Sequence, residues 1–222
     1  MKQLFKISCK CLALAAICTL SFTIISCSSD EWEPREVPED YKPVFKEGKT
    51  WTYGTVPRSY IGESSSYTYT ISGDTVVKGK KYLKLYCSDK EAYGDTDQHY
   101  FAAVREESLR AFYILKGEKK EKLLFDFGMD LDVQFEIDPI PTCYITIQNK
   151  IPKDFLGTSR LVFYWIYTIK ETGMGVSQQY AWFEGIGNYP DLLRRGGHDH
   201  PLISCYEDGR CIYDRDLLPL IY

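Results

Sequence analysis

The sequence predicts an all-β fold, an antiparallel meander that curls into a barrel or a sandwich, with few or no helices. Three observations carry that expectation. Short segments alternate apolar and polar residues with a period of two, turn-forming residues recur between them, and one longer run is apolar on both faces. Hydrophobic residues make up 44% of the 222 and aromatic residues 15%, enough apolar surface to fill one core.

Taken in chain order, the first clear alternation sets Tyr67, Tyr69 and Ile71 against Ser66, Thr68 and Thr70. Leu83, Leu85 and Cys87 then alternate with Tyr82, Lys84 and Tyr86, and Cys143, Ile145 and Ile147 with Tyr144, Thr146 and Gln148. The run Leu161–Ile169 is apolar at both parities, the pattern of a central strand covered on two sides. Turn signals stand at Gly73-Asp74, Lys78-Gly79, Lys116-Gly117, Gly173 and Asp208-Gly209. Phe101–Leu115 is ambiguous. Its alanines, Leu109 and Arg105-Glu106-Glu107 suit a helix by propensity, and a hairpin turning at Glu106-Glu107-Ser108 suits it equally.

Ahead of the β-rich body lies an export segment, residues 1–26. Lys2, Lys6 and Lys10 precede an apolar run from Cys11 to Ile25, the n-region and h-region of a secretory signal. Fifteen residues fall short of the roughly 20 that cross a bilayer as a helix. Ile24-Ile25-Ser26-Cys27 resembles a bacterial lipobox, with Ile24 where leucine is commoner. The resemblance implies cleavage after Ser26 and a lipid on Cys27, an attachment made firm by several acyl chains. The acidic flank Asp30-Glu31 resembles the signal that sends lipoproteins of the Bacteroidota to the outer face of the outer membrane. Residues 27–44 then read as a lipidated cysteine and an acidic tether bearing Pro34, Pro38 and Pro43, expected to stay unfolded, with Trp32 and Tyr41 as its aromatic exceptions. At an extended pitch its roughly 16 residues would reach about 50 Å. The β domain follows as residues 45–222.

Charge narrows the partners. The export segment takes three of the 27 basic residues and none of the 31 acids, so residues 27–222 carry 24 bases and 31 acids, a net charge of −7. An acidic surface repels phosphate backbones, so no nucleic acid is expected as a partner.

An ordered set of phrases resembles a β-rich domain of unknown function found in secreted proteins and lipoproteins of the Bacteroidota. It opens with Glu47-Gly48-Lys49-Thr50-Trp51-Thr52-Tyr53 and continues through Gly73-Asp74-Thr75-Val76-Val77, Gly79-Lys80-Lys81-Tyr82, Leu85-Tyr86 and Val104-Arg105-Glu106-Glu107. Glu121-Lys122-Leu123-Leu124-Phe125-Asp126-Phe127, Glu184-Gly185-Ile186-Gly187, Leu192-Leu193 and Ser204-Cys205-Tyr206 with Gly209 and Ile212-Tyr213 complete it. The resemblance implies a strand after Arg105-Glu106-Glu107 and so favours the hairpin there. It implies no catalytic or binding residue. Asn188-Tyr189-Pro190 departs from the small-residue turn usual at that point.

Chemistry-bearing residues are sparse. Cys205 and Cys211 flank a turn: a three-residue loop Glu207-Asp208-Gly209 would set them opposite each other, within disulfide reach, whereas a two-residue loop would separate them. Cys87 and Cys143 sit on apolar parities, as a second bridge or as buried thiols. Gly196-Gly197-His198-Asp199-His200 offers two imidazoles and a carboxylate, but its glycines and Pro201 mark an exposed loop, and no metal is expected. Asp126, Asp130 and Asp132 lack EF-hand spacing. There is no Gly-x-Ser-x-Gly elbow, and Glu184-Gly185-Ile186-Gly187 reads as a tight bend, not a nucleotide fingerprint. Among 18 tyrosines, Tyr82 and Tyr86 with Lys84 between them form a candidate stacking strip for a ligand, against the plainer reading of tyrosine as a common strand residue. No cofactor is called for. The expected role is non-enzymatic binding at the cell surface, with the membrane engaged through the lipid and a glycan or protein as extracellular partner. The alternatives are an accessory subunit of an envelope complex or a carboxylate-based hydrolase.

Overall fold

The computed structural model describes residues 34–54, 66–136, 143–173, 180–189, 191–193 and 200–217. Cys27, the expected export segment (residues 1–26) and the start of the expected tether lie outside the described residues, as do His198 and Asp199. Within them, thirteen strands form two antiparallel sheets. The first strands are β1 (Thr50–Gly54), β2 (Ser66–Val77), β3 (Lys80–Ser88), β4 (His99–Glu107), β5 (Arg110–Leu115) and β6 (Lys122–Asp126). The chain then crosses to β7 (Gln134–Glu136), β8 (Cys143–Phe155), β9 (Thr158–Ile169), β10 (Tyr180–Phe183) and β11 (Gly187–Asn188). It returns as β12 (Leu202–Glu207) and β13 (Arg210–Asp214). One sheet has the order β13-β12-β1-β2-β3-β4-β5-β6 and the other β11-β10-β9-β8-β7. The fold is thus a sandwich of two open sheets and not a closed barrel. The meander is interrupted once, where the C-terminal hairpin comes back to pair with β1: Trp51 faces Cys205 and Thr50 faces Tyr206. The helix α1 (Lys90–Tyr93) is a single turn, capped by Asp89, whose side chain accepts from the Glu91 and Ala92 amides.

The alternations place the core as their parity requires. Tyr67, Tyr69, Ile71, Leu85, Cys87, Cys143, Ile145 and Ile147 are all buried. The sheets meet through aromatic rings: Phe125 stacks on Trp182 at 4.9 Å between centroids and meets Phe163 edge-on at 5.8 Å, while Phe183 stacks on Tyr213 at 5.7 Å. Rings of this size dominate core energetics and favour these stacked and edge-on geometries. Phe101–Leu115 is a hairpin, but it does not turn at Glu106-Glu107-Ser108: both glutamates stay in β4, Glu106 paired to Ala111 and Glu107 to Arg110. Its turn, Ser108-Leu109, has φ of 50° and 66°, the doubly left-handed turn that matches strand twist. Lys78-Gly79, Leu156-Gly157 and Asp208-Gly209 turn the same way.

Three expectations need correction. Gly73-Asp74 is no turn but a bulge inside the long strand β2, where the Gly73 amide donates to the Glu47 carboxylate at 2.9 Å. Strand β9 is central, paired to β8 and β10, and is covered on both faces where Val162 and Phe163 are buried, but not along its length: Leu161 is exposed and Tyr164 and Ile166 are half-buried. The end of the tether is also ordered. Arg35 pairs with the buried Asp126 at 2.5 Å, and the Tyr41 hydroxyl and the Phe45 amide donate to the Glu106 carboxylate at 2.7 and 2.8 Å. The Lys42 amide donates to Glu184, and Val44 is fully buried. The compact unit accordingly begins at Arg35, not at residue 45. Polar composition predicted a free tether; carboxylates presented by distant strands hold it down instead. Burial pushes the Glu106 carboxyl above its ordinary pKa, although both of its donors oppose that shift.

Candidate functional site

At one end of the sandwich, the inner face of β1 reaches across to the bend between β10 and β11. Lys49 Nζ donates to Gly185 O at 2.5 Å, Trp51 Nε1 to Ile186 O at 2.5 Å, and the Tyr53 hydroxyl to Asn188 O at 2.8 Å. Residues 49, 51 and 53 share one parity of an extended chain, so β1 and the residue just ahead of it serve three carbonyls of the bend, those of residues 185, 186 and 188. The bend requires its glycines. Gly185 has φ +65°, and a Cβ there would lie 2.2 Å from Arg160 Nη1 and 2.7 Å from Lys42 Cβ; Gly187 has φ +125° beside Leu192. The Glu184 carboxylate closes the arrangement by accepting from the Lys42 and Leu161 amides. Two phrases about 135 residues apart are therefore halves of one structural joint.

Beside this joint lies an open cleft of about 390 Å³ between two hairpin tips. The β8–β9 tip contributes the apolar wall of Phe155 and Leu156, and Arg160. From the β12–β13 tip come Glu207, Asp208, Arg210, Cys211 and Ile212. Both tips are two-residue turns with positive φ, which keeps the hairpins tight. The acids on the rim are engaged: Glu207 pairs with Lys46 at 2.8 Å and with the buried Lys49 at 3.1 Å, and Asp208 pairs with Lys46 at 2.8 Å. Burial works to raise the Glu207 pKa, but the bonds from the two lysines outweigh it and hold the carboxyl below its ordinary value. Arg160 is different. It is 7% exposed, its Nη1 makes one long bond to Glu184 O at 3.3 Å, and its buried Nε has no hydrogen-bond partner. Desolvation lowers its pKa, against the attraction of the Glu207 and Glu184 carboxylates.

The hairpin that carries the cysteines turns through two residues, not three. Glu207 pairs with Arg210, and a bulge sets Cys205 opposite Tyr213 and Tyr206 opposite Cys211. Cys205 is consequently in the core and Cys211 at the cleft, and both are free thiols; the local disulfide is not formed because the shorter loop takes the pair out of register. Burial pushes the Cys205 thiol up to about 12, which leaves it inert. The Cys211 thiol is half-buried and donates to Tyr213 O at 3.3 Å.

The tyrosine strip does not offer an open platform. Tyr82 is 3% exposed and its hydroxyl donates to Glu121 at 2.5 Å. The Arg105 guanidinium, held by Glu121 through Nε and Nη2, lies over both the Tyr82 and Phe112 rings, so the face that a sugar would need is occupied. Lys84 and Tyr86 are half-buried, and Tyr86 meets Tyr100 edge-on. Asp126 is an ion-pair centre, bound by Arg35 and Arg110, and is separated in role from the exposed Asp130 and Asp132. His200 packs edge-on against Tyr67. Lys49 and Arg160 carry a signal in the sequence: each is a basic residue at an inward parity, two positions before Trp51 and Val162, Lys49 just ahead of β1 and Arg160 within β9.

No family model matches the chain, and no curated protein and no solved structure matches it either.

Proposed function

We propose that the chain is an outer-membrane lipoprotein, anchored through lipid on Cys27, whose sandwich is displayed at the cell surface and binds a partner in the cleft between the β8–β9 and β12–β13 tips. The observation that carries the reading is the cleft itself. It is of a volume suited to a small ligand, has an apolar wall and a few convergent polar groups, and includes a buried arginine short of partners. The export segment, the lipobox-like Ile24-Ile25-Ser26-Cys27 and the acidic flank support the anchor and its direction. With the compact unit starting at Arg35, seven residues separate it from Cys27, and the eight Cα–Cα steps bound the span at about 29 Å. The domain would work close to the membrane, not at the end of a long stalk.

The test has two arms. Metabolic labelling with palmitate should mark the wild-type chain and not Cys27→Ser, and protease added to intact cells should remove the domain. The mature chain in detergent micelles, presented to arrays of glycans and peptides, should retain ligands that the double variant Arg160→Met/Arg210→Ala loses. Labelling at Cys27 without protease access would place the domain on the inner side of the membrane; retention unaffected by the double variant would move the binding surface elsewhere.

A further inference from the structure

We infer that the cleft binds a compact oxyanion, a carboxylate, sulfate or phosphate group on a small body of about sugar size, with Arg160 and Arg210 as its counter-ions. The inference rests on reading the cleft as the binding site and names what that site selects.

The charges around Arg160 are out of balance. Buried arginines are rare unless paired, because the guanidinium loses its hydration and must regain it from carboxylates or carbonyls. Arg160 regains little: one 3.3 Å bond to a backbone carbonyl, a partnerless Nε, and no carboxylate within 4.0 Å among the described residues. The neighbouring acids are already committed. Both oxygens of Glu184 accept backbone amides, and both of Glu207 accept from lysines. Across the cleft, Arg210 is exposed and also lacks an ion pair among the described residues. With Lys46 and Lys49 neutralising Glu207 and Asp208, the lining keeps the two arginine charges in excess. A planar guanidinium fork matches the paired oxygens of a carboxylate, sulfate or phosphate. The apolar side of the cleft, Phe155 with Ile212, would contact the uncharged body of the ligand.

Cys211 supplies a built-in reporter, because it lines the cleft while Cys87, Cys143 and Cys205 are buried. The mature chain in detergent micelles would be followed by thermal unfolding and by the rate at which neutral iodoacetamide alkylates Cys211, read by mass spectrometry. Glucuronate, acetate, sulfate, inorganic phosphate and glucose would be compared at constant ionic strength. At least one anion should raise the unfolding temperature and slow alkylation, and glucose should do neither. The ranking of glucuronate and acetate against phosphate separates a carboxylate ligand from a phosphate one. Arg210→Ala should weaken protection about tenfold, the loss of one charge-assisted contact. Arg160→Met should abolish protection while leaving the unfolding temperature of the ligand-free chain unchanged or raised.

Two results would overturn the inference. If no anion moves either readout and Arg160→Met lowers the ligand-free unfolding temperature, Arg160 is structural and the cleft is not a binding site. If glucose or another neutral ligand protects Cys211 as well as the anions do, the cleft binds but does not select charge, and only the oxyanion assignment falls.

Discussion

Lys49 and Arg160 flank the same bend at one end of the sandwich, and the protein satisfies one and leaves the other short. Lys49, with no exposed surface, directs its ammonium at Glu207, Gly185 O and Pro43 O and lies 5.8 Å from the centroid of the Trp51 ring. Arg160 lines the cleft with a single long bond and an unpartnered Nε. A buried cation with all its donors met joins parts of a fold, because removing it strands every group it served. A buried cation with donors to spare contributes little to the fold, and Arg160, as a residue of the cleft lining, would gain a counter-charge from an anion that entered.

The same substitution at both positions breaks or sharpens that contrast. Lys49→Met should cost about 3–5 kcal/mol, since it leaves two carbonyls and one arm of Glu207 without their donor. Arg160→Met should fall within about 1 kcal/mol of wild type or on the stabilising side, as replacing an underpaired buried charge with an apolar chain often does. Denaturant midpoints measure both, and comparable losses at the two sites would erase the distinction.

A smaller effect tests the bend that both cations share. Gly185→Ala should cost about 2 kcal/mol, because an L-residue at φ +65° is strained and its Cβ would displace Arg160 Nη1 and Lys42. Gly94→Ala is the control. Its φ is +81° but nothing lies within 4 Å, so it should show the backbone strain alone, about 1 kcal/mol. Equal losses would mean that close packing at the joint adds nothing.

The smallest effect lies in acid. The Glu207 carboxyl is held below its ordinary value in the folded chain, so the stability it contributes is complete above the unfolded value of about 4.3 and is lost as pH falls through the lower folded value. The denaturant midpoint of wild type should therefore drop more steeply below about pH 4 than that of Glu207→Gln. Because Glu207 is partly exposed, the difference should stay under about 1 kcal/mol. Parallel acid profiles would show that the lysine bonds to Glu207 do not stabilise the fold.

Much of the fold was legible because its signals are local. Tyr67-Thr68-Tyr69 and Cys143-Tyr144-Ile145 alternate in sequence and alternate in burial, and Lys78-Gly79 and Asp208-Gly209 turn where they read as turns. The errors arose where a distant partner decides. Residues 35–44 are as polar as a free tether, and what holds them comes from far along the chain or from the core: the carboxylates of Asp126, Glu106 and Glu184, the Phe127 ring against Tyr41, and the burial of Val44. Tyr82 has the parity of an open stacking surface, but Glu121 positions Arg105 over it. Cys205 and Cys211 depended on a single residue of loop length, and a one-residue change of register alters which side chains face each other.

By itself the sequence determined the all-β class, the inward parity of the main strands and the positions of most turns, since each follows from residue-by-residue chemistry along an extended chain. Only the tertiary structure decided that the C-terminal hairpin returns to β1, that Lys49, Trp51 and Tyr53 serve the carbonyls of a bend more than a hundred residues away, and that Arg160 lies buried beside acids already taken. Alternation tells a strand which face to bury. Whether a charge on that face finds a counter-charge depends on what the other sheet presents there, and that choice is not encoded in any local period.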